Sequence, residues 1–342
     1  MLWQVWLVEF RKVVSCSGMD RLGRSGEECL VPLRKGAAWF GRCGQVRSVA
    51  LRSVDVCRGE AGEVEHHILN LGAGVQSTAL FLMCRDGRVP GVNWAVFADT
   101  QDEPLGVYSH LDWLEGLGDG PEIVRITEGQ ISADLTRGEN IRGARFASIP
   151  AYTRADGERK VGMLRRQCTA DYKVTPIERW IRYTLLGLPR YGRIPKGMMI
   201  HQYFGISADE ARRAVSIRKR VEKHKQFRAH FPLLDLGATR RDCREFLEKT
   251  VPHEVPRSAC VFCPYKNDNE WQHLKDTDTE GWDRAVAFDE KLRIPGLIVN
   301  RGLDQKMYVH RSGQPLALAV LKPKVLDASS GFLFECDGGC GL

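Results

Sequence analysis

From Ile68 onward the chain switches between short apolar runs and helical stripes. Ile68, Leu69 and Leu71 form a run of the kind a buried parallel strand presents. Gly72 and Gly74 then allow a sharp turn, and Ser77 and Thr78 start a helix whose apolar face is Leu80, Met83 and Cys84. Val92–Ala98 reads as a second strand. It ends in Asp99-Thr-Gln-Asp-Glu-Pro104, a turn into a helix with Pro104 at its first position and Leu105, Tyr108, Leu111 and Leu114 as its buried stripe. Glu122–Ile126 and Met198–Ile206 are further strands, and a helix starts at Ala208. Thr175-Pro-Ile-Glu178 has the form of a capping box with proline at the first helical position, followed by an inner face of Ile177, Trp180 and Ile181. Thr127 to Lys173 is long, rich in glycine and arginine and poorly periodic, as lids and substrate loops are. The alternation predicts an α/β fold: a doubly wound parallel sheet with helices on both faces. Ligands of such sheets sit beyond the carboxyl ends of the strands, where the glycine turn, Asp99 and Ser207-Ala-Asp-Glu210 would share one rim.

The pattern also divides the chain. Residues 1–64 show neither strand nor helix period and read as a disordered leader or an upstream extension. Residues 65–235 carry the alternating elements, and 236–342 form a smaller, mostly helical region that contains cysteines and opens with a cap at Thr239-Arg-Arg-Asp242. The 342 residues suffice for one good-sized core plus a smaller one. No apolar run approaches a membrane span, and the apolar start of the chain has no basic lead and is broken by Glu9 and Arg11. A cytoplasmic protein is the expectation, with its eleven cysteines reduced, catalytic or metal-bound rather than paired. The net charge of +7 permits an acidic partner without requiring one.

A strand, a glycine turn and a helix N-terminus make a cradle for phosphate or sulfate, because the first N–H groups of the helix lack internal partners and carry partial positive charge. A tight turn without ligand has the same signature. The turn lacks the Lys-Ser/Thr of a Walker loop and the spacing of the dinucleotide fingerprint. Gly72, Ala73, Gly74, Val75, Gln76 and Ser77 resemble the pyrophosphate (PP) loop of the adenine nucleotide alpha-hydrolase superfamily, Ser-Gly-Gly-x-Asp-Ser, with Gln76 in place of the aspartate. That Gly-x-Gln core is similar to the phosphoadenosine phosphosulfate (PAPS) reductase branch. The resemblance implies a PP-loop, HUP-like fold that binds ATP or a sulfonucleotide at Gly72, Ala73, Gly74, Gln76, Ser77 and Thr78. Asp99-Thr-Gln…Glu103 looks like the family's Asp-Thr-Gly…Glu, which implies a ribose or magnesium role for Asp99; alone, Asp99 serves equally as a helix cap. Gly205-Ile-Ser-Ala-Asp-Glu210 is similar to a family segment followed by an anion-clamping arginine, here Arg212.

Two cysteine features carry the chemistry. Cys168 lies among Arg165, Arg166 and Lys173, and nearby cations favour the thiolate. The run Cys168-Thr…Lys173…Pro176 resembles the superfamily's Cys-Thr-x-x-x-Lys-x-x-Pro segment, which gives Lys173 the anionic part of the nucleotide; an inert thiol is the alternative for Cys168. Cys260 and Cys263 have Cys-x-x-Cys spacing, which turns two sulfurs toward one metal. Cys336 and Cys340 flank two glycines near the C-terminus, and the two pairs together could complete a four-thiolate site for zinc or a four-iron, four-sulfur cluster. Two redox pairs without metal remain the alternative, as does Cys336 as a mobile nucleophile, by likeness to the Glu-Cys-Gly tail of PAPS reductases. The basic run Arg218, Lys219, Arg220, Lys223, Lys225 and Arg228 is a solvated helix face or a nucleic-acid footprint.

The ordered motifs from about residue 66 to the C-terminus imply an adenine-nucleotide-dependent enzyme of sulfur chemistry, similar to PAPS reductases and served by a thiol or other electron or sulfur donor. The alternatives are a PP-loop ATP pyrophosphatase or sulfurtransferase that thiolates nucleic acid, and a nucleotide- or nucleic-acid-binding protein without turnover.

Overall fold

The computed structural model describes residues 64–138, 149–295 and 304–323. The leader expected over residues 1–64, but for Val64, and the terminal pair Cys336 and Cys340 lie outside them.

Strand β1 (Val64–Leu71) leads through the glycine turn into α1 (Val75–Arg85), β2 (Trp94–Asp99) into α2 (Leu105–Gly116), and β3 (Glu122–Thr127) into α3 (Ile131–Arg137). Two short strands follow, β4 (Tyr152–Arg154) and β5 (Gly162–Met163). A helical stretch then contains α4 (Thr175–Arg179) between π-helical turns at Ala170–Val174 and Trp180–Leu185. Next come β6 (Met198–Phe204), a 3-10 turn at Ala208–Glu210, α5 (Ala211–Val221), β7 (Phe227–His230) and α6 (Pro232–Asp235). The described chain continues with α7 (Arg240–Thr250), α8 (Asp268–Thr277), α9 (Thr279–Lys291) and β8 (Lys306–Tyr308).

The fold is α/β. Five strands pair in parallel in the order β3-β2-β1-β6-β7, so the order reverses between β1 and β6. Alternate residues of the strands face opposite layers. Leu69, Leu71 and Phe97 pack with Leu80 of α1, Leu111 of α2 and Leu247 of α7. Ile68, Val96, Ile200 and Phe204 pack with Ile177 of α4 and Ile217 of α5. Burial on both faces explains why the strands read as continuous apolar runs. A further cluster, with Tyr172, Phe262, Trp271, Phe288 and Met307, joins α8 and α9 to the small antiparallel sheet β5-β4-β8. Among the described residues no helix is long and apolar enough to cross a membrane.

Several local expectations change. Helix α1 has no solvent stripe: Gln76 to Met83 are all buried, because α7 covers the side away from the sheet. Leu105 is 52% exposed, and Val107 takes its place in the stripe of α2. The capping box at Thr175–Glu178 does not form, since the chain is already helical from Ala170. Pro176 has no N–H for the carbonyl one turn back, and the wider π turn that holds Lys173 precedes it. The basic run covers the outer side of α5, the turn to β7 and the exposed Arg228 of β7, while Ala214, Ile217 and Val221 face inward.

Candidate functional site

The reversal of strand order places the carboxyl ends of β1 and β6 side by side, where open parallel sheets bind ligands. The glycine turn leaves β1 there. Ala73 takes a left-handed conformation, φ +56°, though fully buried, a strained choice for a residue with a side chain. Gly74 is the N-cap of α1; its N–H donates to Ser77 Oγ at 3.2 Å, and that hydroxyl is 3.1 Å from the Gly74 carbonyl. Gly205, just after β6, presses on the same helix end. A Cβ there would lie 2.7 Å from Ser77 N and 2.8 Å from Gln76 C.

Gln76 bridges three elements. Its amide nitrogen donates to Ser207 Oγ at 2.8 Å and Glu210 Oε2 at 2.6 Å, and its oxygen accepts from Arg240 Nη1 of α7 at 3.2 Å. An amide donates to a carboxylate and accepts from a guanidinium at once, and an ionised aspartate could not donate, which gives a physical reason for glutamine here. Thr78 Oγ1 meets His110 Nε2 at 2.9 Å, and His110 Nδ1 meets His253 Nε2 at 2.8 Å. Arg212 lies exposed on the first turn of α5, whereas Arg213 beside it pairs with Glu210.

Asp99 ends β2 as a turn organiser: Oδ1 accepts from Gln101 N at 2.7 Å and from the Tyr108 hydroxyl at 2.9 Å. The next carboxylates are more deeply placed. Asp102 accepts from Ser132 N at 2.8 Å and from Arg284 Nη2 at 2.8 Å, and its carbonyl accepts from Val261 N at 2.7 Å. It thereby ties the end of β2 to α3, α9 and the Cys-x-x-Cys turn. Glu103, fully buried, takes the Lys173 ammonium at 3.2 Å.

Cys168, Lys173, Cys260 and Cys263 line one small cavity together with Thr100 and Arg166. The Cys-x-x-Cys turn closes through Cys263 N to Cys260 O at 2.9 Å. Cys260 Sγ lies 3.3 Å from Thr100 Oγ1. Burial, seconded by Glu103, pushes the Cys260 thiol well above its ordinary range, and Lys173 and the Thr100 contact pull the other way. The sulfurs of Cys168, Cys260 and Cys263 are not all within 4.8 Å of one another. Tetrahedral zinc, with bonds of about 2.3 Å, would hold thiolates about 3.8 Å apart. The three sulfurs are therefore not gathered as the ligands of one zinc ion would be.

A second, larger cleft of about 760 Å³ has a separate lining. Val75 at the start of α1 lines it, with Trp113, Arg240, Arg244, Arg257 and Lys266. Its size suits a nucleotide-sized ligand. Burial, then Arg244, lowers Arg240 to about 10, and burial, then Arg257, lowers Lys266. Arg257 pairs with Glu270. Glu254 and Asp278 line the cleft as well, so its charge is mixed, with Arg240, Arg244 and Lys266 the cations that would face an anionic ligand. Sequence reading missed Arg240 and Lys266. The capping motif at Thr239 was the available signal for Arg240, since it fixes that arginine in the first turn of α7. No protein-family model matches the chain, and no curated protein or solved structure matches it significantly.

Proposed function

We propose that the chain is an adenine-nucleotide-dependent enzyme of sulfur chemistry, similar to PAPS reductases, built on a doubly wound PP-loop fold. One observation carries the reading: Cys168, Lys173, Cys260 and Cys263, from distant stretches of the chain, line one cavity at the carboxyl end of β2. A separate cleft of nucleotide size reaches the first residue of α1, with Arg240, Arg244 and Lys266 in its lining beside Glu254, Glu270 and Asp278. In this reading the cleft takes the nucleotide, with Arg240, Arg244 and Lys266 toward its anionic groups. Cys168 is the nucleophile. Its sulfur bonds to the sulfonate sulfur, the sulfur–oxygen bond to the phosphate breaks, and the nucleotide leaves with that oxygen. An external thiol then attacks Cys168 Sγ and sulfite departs. Lys173, held by Glu103, offers positive charge to the sulfonate. Cys260 and Cys263 would be two of the ligands of an iron–sulfur cluster, which would supply rigidity next to the reacting sulfur.

The test uses full-length protein purified without oxygen and assayed for sulfite from PAPS or adenosine phosphosulfate, and for pyrophosphate from ATP. Sulfite release that Cys168→Ser abolishes, with iron and acid-labile sulfide lost in Cys260→Ser, supports the proposal. Pyrophosphate release without sulfite points to thiolation instead. Nucleotide binding without either product points to a sensor, and no binding removes the reading.

A further inference from the structure

At the other end of the sheet lies a polar cluster with no part in this chemistry. The parallel register pairs His67 of β1 with His201 of β6. Glu65, two residues before His67, shares its face of the sheet. One ligand atom from each of the three residues falls within 4.8 Å of the other two. His67 Nε2 is 3.3 Å from Glu65 Oε2, and His201 Nε2 is 3.7 Å from Glu65 Oε1. The second distance is too long for a hydrogen bond, and His201 Nε2 is buried with no hydrogen-bond partner among the described residues.

We propose that Glu65, His67 and His201 bind a divalent transition-metal ion of the zinc type, bridging β1 and β6 at the amino-terminal half of the sheet. Tetrahedral bonds of about 2.0–2.1 Å put neighbouring donor atoms about 3.3–3.4 Å apart, so the three groups need only a small inward shift to share an ion. The outer nitrogens support it as well. His67 Nδ1 meets the Tyr203 hydroxyl at 3.0 Å, and His201 Nδ1 meets His230 Nε2 at 2.8 Å. With Nδ1 protonated on both rings, these contacts leave both Nε2 atoms free to ligate, as second-shell partners do for metal-binding histidines; the rings stack 4.6 Å apart at 9°, so an ion between them needs one ring to tilt. Two imidazoles and one carboxylate select a transition metal over magnesium or calcium. Glu65 is 46% exposed, which gives the ion access and leaves a coordination position for water.

The experiment uses the full chain stripped with EDTA and dialysed against zinc, with metal counted by elemental analysis and melting followed with and without zinc. Zinc at the cysteine cavity is the competing signal, so Cys260→Ser, Glu65→Gln and His201→Ala are measured beside the parent. The expected result is that Glu65→Gln and His201→Ala each lose about one zinc per chain, together with the zinc-dependent rise in Tm. Cys260→Ser keeps both. If His201→Ala does not fold, Glu65→Gln decides, since its half-exposed side chain does not support the core. Equal zinc content in the parent and Glu65→Gln, or a zinc-dependent rise in Tm that survives in Glu65→Gln, overturns the proposal.

Discussion

The buried pair of Lys173 and Glu103 is where stability meets the proposed function. Their side chains are 10% and 0% exposed, so neither charge is well hydrated. Lys173→Met would deprive the Glu103 carboxylate of this ammonium, and the expected loss is about 3–5 kcal/mol by urea denaturation. The double variant Lys173→Met, Glu103→Gln should recover much of that stability without recovering turnover. Gln76 gives a second test. Gln76→Asp restores the residue a PP-loop would have, yet it removes both donor contacts and sets a carboxylate beside Glu210. A loss of about 1–3 kcal/mol is expected, with no gain in ATP cleavage. Single residues were legible where their chemistry was distinctive: Cys168, Lys173 and the Cys260–Cys263 pair stand around one cavity. Gln76 was seen as a departure, but its partners come from residues 207, 210 and 240, and no local pattern announces contacts over such separations.

Elements were legible in proportion to their length and regularity. Strands β1, β2 and β6 hold buried apolar runs that announce them, and the half-buried Ile123, Val124 and Ile126 announce the edge strand β3. Strand β7 is only Phe227–His230, with Arg228 exposed and on the end of a basic run, so its two inward residues were too few to show a period. Helix α3 has seven residues inside a stretch that reads as irregular. Leu105 misled for another reason: it sits at the start of α2, where the Asp278 carboxylate accepts its N–H and its side chain turns outward. The junction of β6 with α1 allows a sharp prediction. Gly205→Ala would place a methyl 2.7–2.8 Å from backbone atoms of Gln76 and Ser77, which cannot swing aside as a side-chain tip can. Overpacking of this kind costs about 1–3 kcal/mol. The variant should melt lower, and if the α1 terminus borders the nucleotide, its nucleotide affinity should fall more than its stability alone explains. Normal melting would mean that the junction of β6 and α1 yields enough to take the methyl.

At the scale of the whole molecule, the alternation of elements was enough to give an α/β fold, while the reversal of strand order needed the pairing itself. What joins the sheet's helical layer to the cleft is a polar chain, Thr78–His110–His253, running from α1 through α2 to the segment after α7. His110 is 1% exposed, stacks on Trp113 and carries a pKa lowered to about 4, by burial first and then by His253. The sign follows from linkage. Unfolded histidine titrates near 6.5, so above that pH both states hold His110 neutral and its contribution is fully present. As pH falls below about 6.5 the unfolded chain takes a proton that the folded chain refuses, and stability declines until the folded pKa is reached at about 4. The loss attributable to this one group is at most on the order of 3 kcal/mol. Urea midpoints measured from pH 7 to pH 4 in EDTA should therefore fall more steeply for the parent than for His110→Gln, which keeps a polar partner for Thr78 but cannot titrate. EDTA keeps the other histidines common to both proteins. Parallel slopes for the two would show that His110 is protonated in the folded state, and the buried chain from α1 to the cleft would then have to be drawn with an imidazolium at its centre.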